Sequence, residues 1–217
     1  AEDKEGMMKH YGDVINSTAD SLYENANFAY NGVIQYQLQQ EAYDEALENI
    51  RKAQTAFPEV ELYKKWEMEV LIQNDMLDEA VEGLKKTVAA GGADVQTYTQ
   101  LAFLHWQAEN YDDAISVATQ AVEKDGSYFD ANYVLGGALY DVAASTLRKA
   151  GDPSVDDATY AKLKEDAKQQ FEKARPYFEK CLALKPDDSA LYAPLSTIYD
   201  ALGMDAKRDE MLDKMGN

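Results

Sequence analysis

The chain has 217 residues, 46% of them apolar and 11% aromatic, which is enough for a packed core and too much for a disordered chain. Against 21 basic side chains stand 40 acidic ones, and the formal charge of −19 repels phosphate backbones, so nucleic acid is not an expected partner. No run of 18 apolar residues is present, so no membrane span is expected, and one cysteine, Cys181, allows neither an intramolecular disulfide nor a multi-thiolate metal site.

The acidity has two readings: a well-solvated surface, or attraction of a basic partner. Only 5 prolines interrupt a sequence rich in Ala, Leu, Glu, Lys and Gln, so helix is favoured throughout. Residues 1–20 hold no apolar run with a basic flank, and no signal peptide is read there. In chain order, the first predicted element is an amphipathic helix over 4–22, where Met8, Tyr11, Ile15 and Leu22 recur at helical spacing. It lacks the pattern that follows, and residues 1–26 are read as an N-terminal capping helix.

From residue 27 the chain repeats. The segments Tyr43-Asp44-Glu45-Ala46-Leu47, Leu77-Asp78-Glu79-Ala80-Val81 and Tyr111-Asp112-Asp113-Ala114-Ile115 align without gaps, their alanines 34 residues apart. That period holds two helices of about four turns and two short turns. A small residue at 46, 80 and 114 lets the second helix lie close against the first. Ile50 and Leu84 follow one turn later on the same face, while Ala118 stands there in the third repeat and should weaken the packing. Pro58, Gly92 and Gly126 end the second helices at matching positions. Helices are predicted over 27–41, 43–56, 61–74, 77–90, 95–109 and 112–124.

The fourth unit starts on schedule at Phe129 but has Arg148 where its alanine should fall. The missing half returns as Ala174, Phe178, Cys181 and Pro186, so the unit runs over 129–188, with 26 residues more than the period. The stretch Gly151–Asp157 reads as a turn between lengthened helices at 129–149 and 159–184, a hairpin projecting over 141–170 that carries Ala150 and whose Arg148, Lys149, Asp152, Asp156 and Asp157 read as solvated. Pro176 should kink the second of these. A fifth unit, 189–217, supplies helices at 189–202 and 205–215, the last with one polar face.

These spacings resemble the tetratricopeptide repeat family. Its pattern is met by Tyr98, Leu101, Ala102, Ala114 and Ala121 in unit 95–128, by Tyr30, Ala46, Ala53 and Pro58 in unit 27–60, and by Tyr192, Leu195, Ser196, Tyr199 and Gly203 in the fifth unit. Unit 61–94 departs most, with Lys64, Glu67 and Met68 in its first helix, and His105 replaces the usual Tyr. The resemblance implies an all-α, right-handed α-solenoid of about five helix-turn-helix units, spanning 27–217, with an elongated fourth unit.

It also implies a non-enzymatic module that captures a peptide or helix in its concave groove. Carried onto this sequence, the groove positions give Asn31, Gln35, Lys65, Glu69, Thr99, Phe103, Trp106, Tyr133, Tyr140 and Asp141. The alternative is an assembly or oligomerisation component that docks through the 141–170 projection or a solenoid end. Family members that clamp a carboxylate terminus use Lys, Arg and Asn, and only Lys65 and Asn31 match here. The fourth and fifth units also resemble tetratricopeptide proteins of bacterial cell envelopes, which points toward the periplasm or envelope.

The residues announce no chemistry of their own. His10 and His105 are the two histidines, and His105 with Glu109 one turn on falls short of the four ligands of structural zinc. Gly136-Gly137 sits within a predicted helix and is read as a close-packing site, not a phosphate loop. Asp112-Asp113 and Asp187-Asp188 suit helix N-termini. No cofactor and no metal are expected.

Overall fold

The computed structural model describes residues 23–216 apart from Asp75, together with Gly6, Tyr11 and Asp13, which are helical. Met8, Ile15 and Leu22 of the expected capping helix lie outside the described residues.

Among the described residues every regular element is a helix. The order is α1 (Tyr23–Gln39), α2 (Tyr43–Ala56), α3 (Glu61–Gln73), α4 (Leu77–Ala89), α5 (Val95–Gln107), α6 (Tyr111–Lys124), α7 (Phe129–Ala150), α8 (Asp157–Leu184), a 3-10 turn (Ser189–Leu191), α9 (Tyr192–Ala201) and α10 (Asp205–Met215). The all-α helical repeat is therefore as expected, with two local differences: α1 starts four residues early, and a 3-10 turn opens the fifth unit. In that turn the Asp188 carboxylate accepts from the Ala190 amide at 3.1 Å, which holds the entry tightly wound. Asp112 and Asp113 lie within the first turn of α6, where they complement the dipole without capping it.

The chain forms two compact units, 1–80 and 81–217. In the first, Ala46, Ile50 and Ala53 of α2 are fully buried, so α2 presents one apolar stripe to its neighbours. Phe57 packs edge-on to Tyr30, with centroids 6.0 Å apart, and Tyr63 of α3 is fully buried with its hydroxyl donating to Asn27 Oδ1. Arg51 bridges Glu67 and Glu79 on the solvent side. Gly32 of α1 leaves room for the Tyr11 ring, which a Cβ there would strike.

In the second unit Asp94 caps α5 by accepting from the Thr97 amide at 2.8 Å. Ala102, Ala114, Ala118 and Ala121 are all fully buried. Ala118 therefore leaves no exposed gap; it belongs to the same core as Leu135, Phe171, Phe178, Leu195 and Met211. That core continues from α5 to α10 without a break.

Three turns share one backbone solution. Glu41, Glu109 and Gly203 each occupy the fifteenth place of their unit and adopt φ of 56°, 57° and 70°. The amide after each, on Ala42, Asn110 and Met204, donates to a carbonyl five residues back at 2.9, 2.9 and 2.8 Å. The left-handed residue reverses the chain while satisfying carbonyls at the helix end.

The fourth unit dispenses with this turn. Its fifteenth residue, Ala143, is buried inside α7, which runs on to Ala150 before reversing through Gly151–Asp156. Asp156 then caps α8 by accepting from the Thr159 amide at 3.0 Å. Helices α7 and α8 lie along each other, burying Ala143, Ala150, Ala167 and Phe171. Arg148, Lys149, Asp152, Asp156 and Asp157 are exposed as expected, but Ala150, on the same projection, is packed in at 5% exposure. Helix α8 continues through Pro176, although proline supplies no amide to the carbonyl one turn back.

Candidate functional site

The first helices of two adjacent repeats, α5 and α7, meet in the second unit. Gly137 stands at the ninth place of its unit, where the preceding unit has Phe103. Its missing Cβ matters: the six-membered ring of Trp106 occupies that space. Seated there, Trp106 donates from Nε1 to Asp141 Oδ2 at 2.7 Å, one turn further along α7. A half-buried indole with its N–H satisfied is fixed in orientation.

Around Trp106 the rings form a continuous run. Phe103, 36% exposed, meets it edge-on with centroids 6.2 Å apart. Tyr133 lies 6.1 Å away on the other helix. Tyr133 in turn stacks on Phe129 at 6.1 Å and 13°, and Lys185 sits 3.7 Å above the Phe129 centroid. Burial, with Asp188 and Asp141 adding to it, holds the Tyr133 hydroxyl above its usual pKa.

Of the expected groove residues, the structure brings together Phe103, Trp106, Tyr133 and Asp141. Tyr140 turns its ring to α8 instead, 5.4 Å from Phe171 and 6.2 Å from Phe178. Thr99 is 6% exposed, its hydroxyl donating to the Val95 carbonyl at 2.7 Å. The other four lie in the first unit: Gln35, Lys65 and Glu69 are exposed, while Asn31 has a buried Oδ1 that accepts no hydrogen bond among the described residues. Sequence reasoning missed Phe129, Lys185 and the seating of Trp106 on Gly137. The glycine at a place held elsewhere by Gln35, Glu69 and Phe103 was the available signal.

Among the described residues the histidine and the cysteine are packed away. His105 is 5% exposed, its Nδ1 has no hydrogen-bond partner among the described residues, and Asp113 Oδ2 lies 4.0 Å away. Burial lowers its pKa against the smaller opposing pull of Asp113. Burial pushes the Cys181 thiol up to about 12, so it is no nucleophile at neutral pH. Among the described residues no three His, Cys, Asp or Glu side chains converge as a metal site. None of the described helices is long and apolar enough to cross a membrane.

Residues 161–188 match the family model of the tetratricopeptide repeat. No curated protein matches the chain by sequence. Solved structures do match by fold. YrrB, a tetratricopeptide-repeat protein with an unusual peptide-binding site, is 17% identical with a TM-score of 0.58, over 90% of this chain and 88% of its own. A MamA protein is 18% identical with a TM-score of 0.61, over 88% of both chains. A MamA double mutant gives 14% identity and a TM-score of 0.64, over 92% of this chain and 94% of its own. With the 34-residue period, the left-handed turns and the paired helices, these likenesses show that the chain has the fold of tetratricopeptide-repeat proteins.

Proposed function

We propose that this chain is a non-enzymatic module that holds a peptide or helix of another protein on its first-helix face, centred on Phe103, Trp106 and Tyr133. One observation carries the reading: three touching aromatic rings from adjacent first helices, oriented by the Gly137 seat and the Asp141 hydrogen bond, with Phe103 open to solvent. Rigid aromatics with restricted rotamers lose little entropy on binding and dominate many interfaces. The peptide-binding site of YrrB, a protein of the same fold, agrees with the reading.

The test is capture. Proteins that co-purify with the chain are identified, and the partner is titrated against wild type, Phe103→Ala and Trp106→Ala. Each substitution should weaken binding by about 1 kcal/mol or more. Phe103→Ala is the cleaner of the two, because Trp106 also packs on Gly137. Unchanged affinity in both would move the site elsewhere.

A second reading, assembly through the α7–α8 hairpin or an end of the array, draws on Leu212 and Met215 of α10, which are 47% and 52% exposed. Sedimentation equilibrium separates the two, since assembly between copies raises the mass with concentration.

A further inference from the structure

The Trp106 face holds a half-buried carboxylate that among the described residues is in no ion pair. Asp141 accepts from Trp106 Nε1 through Oδ2, and among the described residues no donor reaches its Oδ1 and no Lys or Arg pairs with it. Other rings in this unit are covered by the chain's own cations: Lys185 over Phe129 at 3.7 Å and Lys124 over Tyr98 at 5.0 Å. Among the described residues none sits over Phe103, Trp106 or Tyr133. The ring run, open to solvent at Phe103, therefore lies beside a carboxylate that among the described residues is in no ion pair, within a chain of formal charge −19.

We propose that this face receives a basic segment of a partner polypeptide, with one arginine or lysine laid against Trp106 and Tyr133 and its charged head paired to Asp141. The inference rests on the reading of this face as the binding site and adds the chemistry of the anchor. A cation over an indole gains most when water is excluded, and an adjacent carboxylate supplies the charge-assisted hydrogen bond. Arginine suits the place better than lysine, because its planar head stacks on a ring and pairs with a carboxylate at once. A segment offering its own carboxylate would meet Asp141 and be repelled.

The experiment uses the full chain and a displayed library of random-sequence peptides. Peptides selected on wild type should be enriched in arginine and lysine. Their binding, read by fluorescence polarisation, should weaken about tenfold in Asp141→Asn, equivalent to about 1.4 kcal/mol, and should also weaken as ionic strength rises. The Asn side-chain oxygen still accepts from the indole, so unchanged circular dichroism and melting would separate lost charge from lost structure. Full affinity in Asp141→Asn alongside loss in Phe103→Ala would overturn the cationic anchor and leave the face as the site. Indifference to Asp141→Asn, Phe103→Ala and Trp106→Ala together would overturn both. Selection that yields no binder, or binders without basic residues, also counts against the anchor.

Discussion

The third and fourth repeats begin alike and diverge at one residue. Helix α5 ends at Gln107, and at the fifteenth place Glu109 takes φ of 57°, so the chain reverses within the 34-residue period. In α7 the same place is Ala143, fully buried in continuous helix, and reversal waits until Gly151. The short unit closes through its turn. The long unit closes through side-chain packing between α7 and α8, with Phe171 and Phe178 delivering the contacts that bring it back into register with α9. A repeat can thus absorb extra residues without losing its fold, provided the added helix pair buries its own apolar stripe.

Crowding the short repeat should have the largest effect. Ala114 is fully buried on α6, in the aligned place that Ala46 and Ala80 hold in the repeats before it. Ala114→Leu should cost about 1–3 kcal/mol, because the added methylenes force the neighbouring helices apart. Chemical denaturation with an unchanged slope would measure it. A loss within error of zero would mean that the close approach inferred for this repeat is wrong.

The fifteenth place itself gives a smaller effect of opposite sign in the two units. Glu109→Gly should stabilise by about 0.5–1 kcal/mol, since glycine removes the left-handed strain and offsets its own entropy cost. Ala143→Gly should destabilise by about 1 kcal/mol, because there glycine sits within a helix. Thermal melts of both variants check the pair, and equal signs would contradict the different turns.

The smallest effect is a pH dependence confined to the short repeat. The folded state lowers the His105 pKa, so between that value and the ordinary one near 6.5 the unfolded chain binds more protons. Stability contributed by neutral His105 is present above the ordinary value and is lost as pH falls toward the folded one. His105→Tyr should flatten the melting temperature across that window relative to wild type. An unaltered slope would assign the acid sensitivity to other groups.

The sequence by itself determined the local structure of this protein. Its period, its small residues at 46, 80 and 114 and its Gly-Pro-Asp turn at 151–157 specify helices, reversals and the elongated unit, because each depends on neighbours within one or two turns of chain. The sequence also placed Phe103, Trp106, Tyr133 and Tyr140 in equivalent face positions, since a helix fixes which residues share a side. It did not determine where those side chains go. Trp106 lies on Gly137 and bonds to Asp141, 35 residues away, whereas Tyr140 turns toward Phe171 and Phe178. Ala150 is buried by a helix that the repeat pattern does not contain. Such outcomes depend on how closely two helices approach and on which rotamers the gap admits, and only tertiary packing sets those.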